Sequence, residues 1–269
     1  MPEPATISPI RLPTKCFECL DSGSLYDTVY YTFCDLYGTR FCSCDAGKQA
    51  FKTWCLTEAV QAAVHRKRAH EVKAALAFSG IPKRLREKTW ENFDGQESLK
   101  QRINQYLDAF PKFQKDGRGI YLWSNGSGRG KTHILSAVCQ ELIRRYNAPG
   151  IFMTEEQIFL KIREAYDDPL IKEQERLHKF FDIPCLFIDD FGATKTTAWK
   201  TEIMTSLLDH RLGNALPTFF TSNYHPQDYL SLVATSLRLA RPERIPSRIY
   251  EICKDFIIEV KGQDFRKHP

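Results

Sequence analysis

The stretch Ile120-Tyr121-Leu122-Trp123-Ser124-Asn125-Gly126-Ser127-Gly128-Arg129-Gly130-Lys131-Thr132-His133-Ile134-Leu135 decides the reading of this chain. An apolar, β-prone run enters a glycine-rich turn and leaves it as a helical pattern from Thr132 to Tyr146. This is the G-x-x-x-x-G-K-[ST] pattern set between a strand and a helix, a loop that cradles phosphates. Glycines let successive backbone N–H groups curl around an anion without Cβ clashes, and the helix N-terminus adds a favourable dipole. ATP is the expected ligand, held by Asn125, Gly126, Ser127, Gly128, Arg129, Gly130, Lys131, Thr132 and His133. Lys131 is predicted to reach the β- and γ-phosphates and the Thr132 hydroxyl to hold Mg²⁺. Asn125 stands where the pattern has its first glycine. Asn tolerates left-handed backbone best after Gly, so the loop is expected to form.

The rhythm continues downstream. Apolar runs at Ile151–Met153, Cys185–Ile188, Thr218–Thr221 and Phe256–Val260 alternate with helical patterns at Glu155–Tyr166 and Thr201–Leu212, the last closed by Gly213. Strands alternating with helices predict an α/β fold around a parallel five-stranded sheet with both faces covered. In such a sheet the ligand crevice lies at the C-terminal strand ends. Cys185–Ile188 runs into Asp189-Asp190-Phe191-Gly192. Asp189 is therefore expected at the Mg²⁺ shell, and Asp190 is expected to orient or deprotonate the attacking water. Asn223, at the end of the next strand, is placed to hold that water near the γ-phosphate. Arg238, Arg241, Arg244 and Arg248 crowd one segment. They read either as a solvated basic face or as the source of an arginine finger for a neighbouring subunit. Arg266 reads as a phosphate sensor or a tail charge.

Upstream, Leu99–Phe110 predicts an amphipathic helix stopped before Pro111. Gly47–Phe78 has no Pro and no internal Gly and predicts one long helix, ended by Ser79-Gly80-Ile81-Pro82. Of nine cysteines, six fall within the first 55 residues. No signal-peptide pattern precedes them, so metal is favoured over disulfides. Cys16-x-x-Cys19 and Cys42-x-Cys44 offer four thiolates for a tetrahedral structural Zn²⁺, with Cys34 and Cys55 as alternative fourth ligands. Tyr26, Tyr30, Tyr31 and Phe33 suggest short strands in this module. Cys139, Cys185 and Cys253 sit among apolar neighbours and read as buried small hydrophobes.

The composition, 42% hydrophobic and 26% charged, is that of an ordinary globular protein. No run approaches the roughly 20 apolar residues of a membrane helix, so a cytoplasmic protein without membrane partners is expected. The net charge of +5 is modest. Its distribution is not: Val64–Lys88 carries eight basic residues against Glu71 and Glu87. That segment is either a solvated helix face or a surface for nucleic acid or a protein partner.

Taken in order, the cysteine pairs, the basic helix, Ser79-Gly80-Ile81-Pro82 with Thr89-Trp90-Glu91-Asn92-Phe93, the phosphate loop, Leu186–Gly192, Leu216–Asn223 and Gly262-Gln263-Asp264-Phe265-Arg266 resemble the DnaC/DnaI-type AAA+ replicative helicase loaders. The resemblance covers nearly the whole chain. It implies an AAA+ P-loop fold, with a zinc-binding, helicase-interacting module at 1–55, a basic helical linker at 56–98 and the ATPase domain at 99–269. It further implies Asn223 as sensor 1, Arg266 as a sensor 2-like arginine, and Arg248 as the arginine finger. Ile252 stands where the family often has a second arginine. The implied function is ATP-dependent assembly on single-stranded DNA and loading of the hexameric replicative helicase. The implied DNA contacts fall on Lys161, Arg163 and Tyr166. Two other functions fit the same loop. One is an IstB-like transposition ATPase on duplex DNA. The other is a nucleotide-binding module that inhibits or recruits a helicase.

Overall fold

The computed structural model describes residues 45–93, 95–167, 181–229, 243–262 and 264. Cys16, Cys19, Cys34, Cys42, Cys44, Arg238, Arg241 and Arg266 lie outside the described residues, as do the strands expected around Tyr26–Phe33 and the side chain of Tyr166.

The chain divides into two units at Glu71/Val72. Among the described residues of the first unit, helix α1 (Asp45–Cys55) is followed by the start of α2 (Glu58–Phe78). The single helix expected over Gly47–Phe78 is thus broken at Leu56 and Thr57. The Thr57 hydroxyl donates to the Trp54 carbonyl at 2.8 Å, while the Leu56 and Thr57 amides turn back to Thr53 and Trp54. A threonine that bonds its own backbone competes with the helical ladder.

In the second unit, β1 (Tyr121–Trp123), β2 (Gly150–Thr154), β3 (Cys185–Phe191), β4 (Thr218–Ser222) and β5 (Ile257–Glu259) form one sheet in the order β2-β3-β4-β1-β5. Every neighbouring pair is parallel. Successive residues face opposite sides. Leu122, Phe187 and Phe219 join a core with α4 (Glu97–Lys115) and α5 (Lys131–Tyr146). Tyr121, Leu186, Ile188 and Phe220 join another with α6 (Glu155–Asp167), α7 (Ala198–Gly213) and α8 (Arg244–Cys253). The strands read as unbroken apolar runs because both faces are covered.

Two further details frame the sheet. The segment after α2 covers the edge strand β2: the Phe152 amide donates to the Ser79 carbonyl at 2.6 Å. Gly80, at φ +76°, is required there, since a Cβ would fall 2.7 Å from the Phe152 carbonyl oxygen. The short helix α3 (Lys83–Arg86) is then held to α5, where Gln140 donates to the Leu85 and Lys88 carbonyls.

The helix expected to stop before Pro111 instead runs through it to Lys115. Proline lacks the amide that would bond Leu107. The Tyr146 hydroxyl from α5 donates to the Leu107 carbonyl at 2.7 Å and fills the gap.

At the sheet's other end, Arg211 of α7 is fully buried. It donates to Thr218 Oγ1 and to the carbonyls of Phe181, Ile183 and Pro217, so one guanidinium fixes the entries of β3 and β4. Burial lowers its pKa to about 10.

Candidate nucleotide-binding site

The loop between β1 and α5 opens at the C-terminal edge of the sheet. Gly128 (φ +81°) and Gly130 (φ +86°) adopt left-handed backbone, and Gly130 caps α5. Asn125 is not among the residues with positive φ. The departure from the glycine pattern therefore falls where the loop makes no left-handed demand.

Lys131 is the first residue of α5 and is 5% exposed. Its Nζ donates to Ser124 Oγ at 2.7 Å, the Gly126 carbonyl at 2.9 Å and Asn223 Oδ1 at 2.8 Å. The loop, the end of β1 and the residue after β4 thus converge on one ammonium group. Ser124, which sequence reasoning passed over, is buried and also donates to the Gly126 carbonyl.

Thr132 reaches the acidic strand. Its hydroxyl donates to Asp189 Oδ1 at 2.9 Å, and Thr221 of β4 donates to the same oxygen at 2.5 Å. Asp189 is 5% exposed. Burial pushes its carboxyl upward from the ordinary carboxylate value. The Thr221 and Thr132 hydrogen bonds oppose that shift, and the neighbouring Asp190 charge adds to it. Asp190 is exposed and sits in left-handed backbone at φ +52°. The cause is a bulge. Ile188 pairs with Phe220 but Phe191 pairs with Ser222, so β3 carries one extra residue. The Thr221 hydroxyl accepts the Asp190 amide at 2.9 Å, and Ser222 Oγ donates to the Phe191 carbonyl. Bulges re-aim side chains, and this one puts the buried and the exposed carboxylate at the same strand end.

His133 lies beside the Trp90–Phe93 stack: its ring meets Phe93 edge-on at 5.3 Å and its Nε2 is 3.4 Å from the Thr89 carbonyl. Burial lowers its pKa. Asp264 approaches the loop from the C-terminal segment, so that a Cβ on Gly128 would lie 1.7 Å from Asp264 Oδ1.

The remaining expected residues are not at this cluster. Arg248, one third exposed on α8, donates to Asp209 Oδ1 at 2.5 Å, and Arg244 holds the other oxygen at 2.6 Å. Lys161 and Arg163 are exposed on α6, with Arg163 over the Trp199 ring. Cys55 is a free thiol at the end of α1. Among the described residues no group of three or more His, Cys, Asp or Glu side chains forms a metal cluster, and no helix is long and apolar enough to cross a membrane.

The arrangement combines a phosphate loop, two threonine hydroxyls, a buried carboxylate and an exposed one. Thr132 and Asp189 supply the hard oxygen donors that suit Mg²⁺.

A family model described as IstB-like ATP binding protein matches residues 43–268. The replicative helicase loader DnaI of Bacillus subtilis (strain 168) is 29% identical over 175 residues, spanning 63% of this chain and 53% of that protein. The chain thus covers about half the length of that relative. The replicative helicase loader DnaC of Escherichia coli (strain K12) is 24% identical over 171 residues, spanning 62% and 67%. Among solved structures, the crystal structure of DnaI has a TM-score of 0.57 at 24% identity, covering 67% of this chain and 95% of that one. At that identity the likeness shows a shared fold, helices packed around a parallel five-stranded sheet.

Proposed function

The chain belongs to the IstB-like ATP-binding protein family, and from that premise we propose that it is an ATPase that loads a hexameric replicative helicase onto single-stranded DNA. The observation that carries the ATPase half is the convergence of Lys131, Thr132, Asp189 and Asn223 within hydrogen-bond reach. The likeness to two proteins named as replicative helicase loaders supports the other half.

In this reading the triphosphate enters the loop, and Lys131 exchanges its bonds to Ser124, Gly126 and Asn223 for β/γ-phosphate oxygens. Asn223, so released, orients the attacking water. Asp190 accepts a proton from that water. Thr132 and Asp189 would hold Mg²⁺, which would supply neutralising positive charge for the bound triphosphate. Arg248 leaves Asp209 and completes the site of a neighbouring subunit, so ATP acts as the switch for an assembly. Arg266 is the proposed sensor 2 arginine. Exposed Lys161 and Arg163, with Tyr166, contact single-stranded DNA, and binding weakens as salt rises. Cys16, Cys19, Cys42 and Cys44 hold a structural Zn²⁺ in the helicase-docking module. One zinc per chain by elemental analysis is expected, and its loss from a Cys16→Ser/Cys42→Ser chain.

The test measures ATP hydrolysis alone, with single-stranded DNA, and with the host's hexameric helicase. It is combined with a pull-down of that helicase with and without ATP. Hydrolysis raised by DNA or helicase, together with capture of the helicase, is expected. Absence of hydrolysis in every combination overturns the ATPase reading, and absence of capture overturns the loading reading. The IstB-like description of the matched family favours a second reading, a transposition ATPase on duplex DNA. A strong preference for duplex over single-stranded DNA selects it.

A further inference from the structure

Glu155 is the first residue of α6 and follows β2 directly. It is a glutamate only 3% exposed, and nothing in the loop chemistry above uses it. Burying an ionised carboxylate is costly unless donors surround it. Glu155 Oε2 accepts from the Thr194 hydroxyl at 2.9 Å and from the Gly192 amide at 3.2 Å. Burial drives its pKa upward. The bonds from Thr194 and Gly192 and the charge of Lys200 work in the opposite direction. Thr194, Thr196, Lys200 and Tyr229 line a small cavity with it.

These donors belong to one piece of chain. Residues 192–194 leave β3 immediately after the Asp189-Asp190 bulge, and the Ala193 amide folds back onto the Asp190 carbonyl at 3.1 Å. Asp190 itself is in left-handed backbone, uncommon for a residue other than glycine although aspartate tolerates it better than most, and contacts on both sides hold it there. On one side Thr221 imposes it, by accepting the Asp190 amide. On the other side the hold comes from Glu155, through Gly192 at φ +78° and Thr194.

We propose that Glu155 is a positioning residue for the reaction: it clamps residues 192–194 and so fixes the bulge that presents Asp190 to the attacking water. The proposal rests on the ATPase reading given above. Glu155 touches neither nucleotide nor metal. It acts on kcat by restricting where Asp190 sits, while the phosphate loop, held by Lys131 and Ser124, keeps its affinity. A neutral acceptor of the same shape supplies most of the clamp.

The experiment compares the full chain with Glu155→Ala and Glu155→Gln. It reads steady-state ATP hydrolysis, affinity for a fluorescent ATP analogue, and hydrogen exchange at the Gly192 amide with a non-hydrolysable ATP analogue present. For Glu155→Ala we expect kcat to fall at least tenfold, analogue affinity to stay within twofold, and Gly192 exchange to rise at least tenfold. Glu155→Gln is expected to recover most of both. A Glu155→Ala chain with unchanged Gly192 exchange overturns the clamp. Faster exchange with unchanged kcat overturns the positioning role. Equal loss of affinity and kcat in Glu155→Ala, not rescued by Gln, reduces Glu155 to general structure and also overturns it. If the parent chain hydrolyses no ATP under any condition, the ATPase reading fails by itself, and the exchange arm still decides the clamp.

Discussion

Asp189→Asn should make the chain more stable and at the same time disable it. Both hydroxyls that contact Asp189, from Thr132 and Thr221, donate to the same oxygen, Oδ1. Asparagine keeps that oxygen and its shape. What it removes is a buried negative charge beside Asp190. Burial raises the Asp189 pKa in the fold, whereas an unfolded aspartate titrates near 3.9. Between the two values the folded chain retains a proton that the unfolded chain has released, so stability falls as pH rises through that window. The penalty grows as pH rises through the folded pKa, and the asparagine variant escapes it. Removing a strained active-site charge is worth about 1–2 kcal/mol, or roughly 2–8 °C in Tm for a chain of this size. Thermal unfolding of the nucleotide-free protein at pH 7.5 should show this gain. The gap should shrink as pH falls through the folded Asp189 pKa and close near the unfolded one. Adding Mg²⁺ and ATP should raise the Tm of the parent chain and much less that of the variant, because a hard oxygen ligand has gone. A variant less stable than the parent at pH 7.5, or a gap that persists at low pH, refutes the assigned cause. Undiminished Mg²⁺-dependent hydrolysis refutes the assigned role.

Other substitutions separate the parts of the site. Lys131→Ala removes a charge-assisted donor at the centre of the loop; fluorescent-ATP titration should show affinity lower by about tenfold or more. Gly128→Ala forces a side chain into φ +81° and against Asp264. At about 1–2 kcal/mol of backbone strain, nucleotide affinity should drop while the fold persists, as read by circular dichroism beside the same titration. Arg211→Met leaves the Thr218 hydroxyl and the carbonyls of Phe181, Ile183 and Pro217 without their buried donor. Chemical denaturation should show a loss of about 3–5 kcal/mol. Nucleotide affinity should stay within about twofold, since Arg211 lies at the strand entries and the loop at their exits.

The sheet and the loop were legible because their determinants are local. Each of the five strands is an apolar run bounded by turn residues, and each expected run overlaps an observed strand. The glycines at 128 and 130 announce left-handed backbone by their identity. The positions of Asp189, Asp190 and Asn223 at the loop's end of the sheet could be read because a parallel sheet assigns strand ends to one side. Lys131 meeting Asn223 and Thr132 meeting Asp189 follow from that placement. The helix through Pro111 was misread for the opposite reason. What rescues the missing hydrogen bond is Tyr146, a residue of another helix, and nothing near Pro111 records it. The break at Leu56–Thr57 was missed for a smaller reason, since it depends on which way one threonine hydroxyl turns.

The supporting residues escaped detection in a more instructive way. Glu155 opens a helix, where acidic residues are common and solvated, so its identity carries no sign that it is buried. Arg211 sits near a helix end, where basic residues are equally ordinary. Each becomes informative only when burial and partners are known together: 3% exposure with bonds to Gly192 and Thr194 for Glu155, and full burial with four acceptors for Arg211. A charged residue in that condition costs stability unless its geometry is satisfied, so its partners must be fixed by the fold. The phosphate loop therefore advertises itself through backbone requirements that only glycine meets. Buried charges such as Glu155 and Arg211 advertise themselves only through the energy that would be lost if they moved.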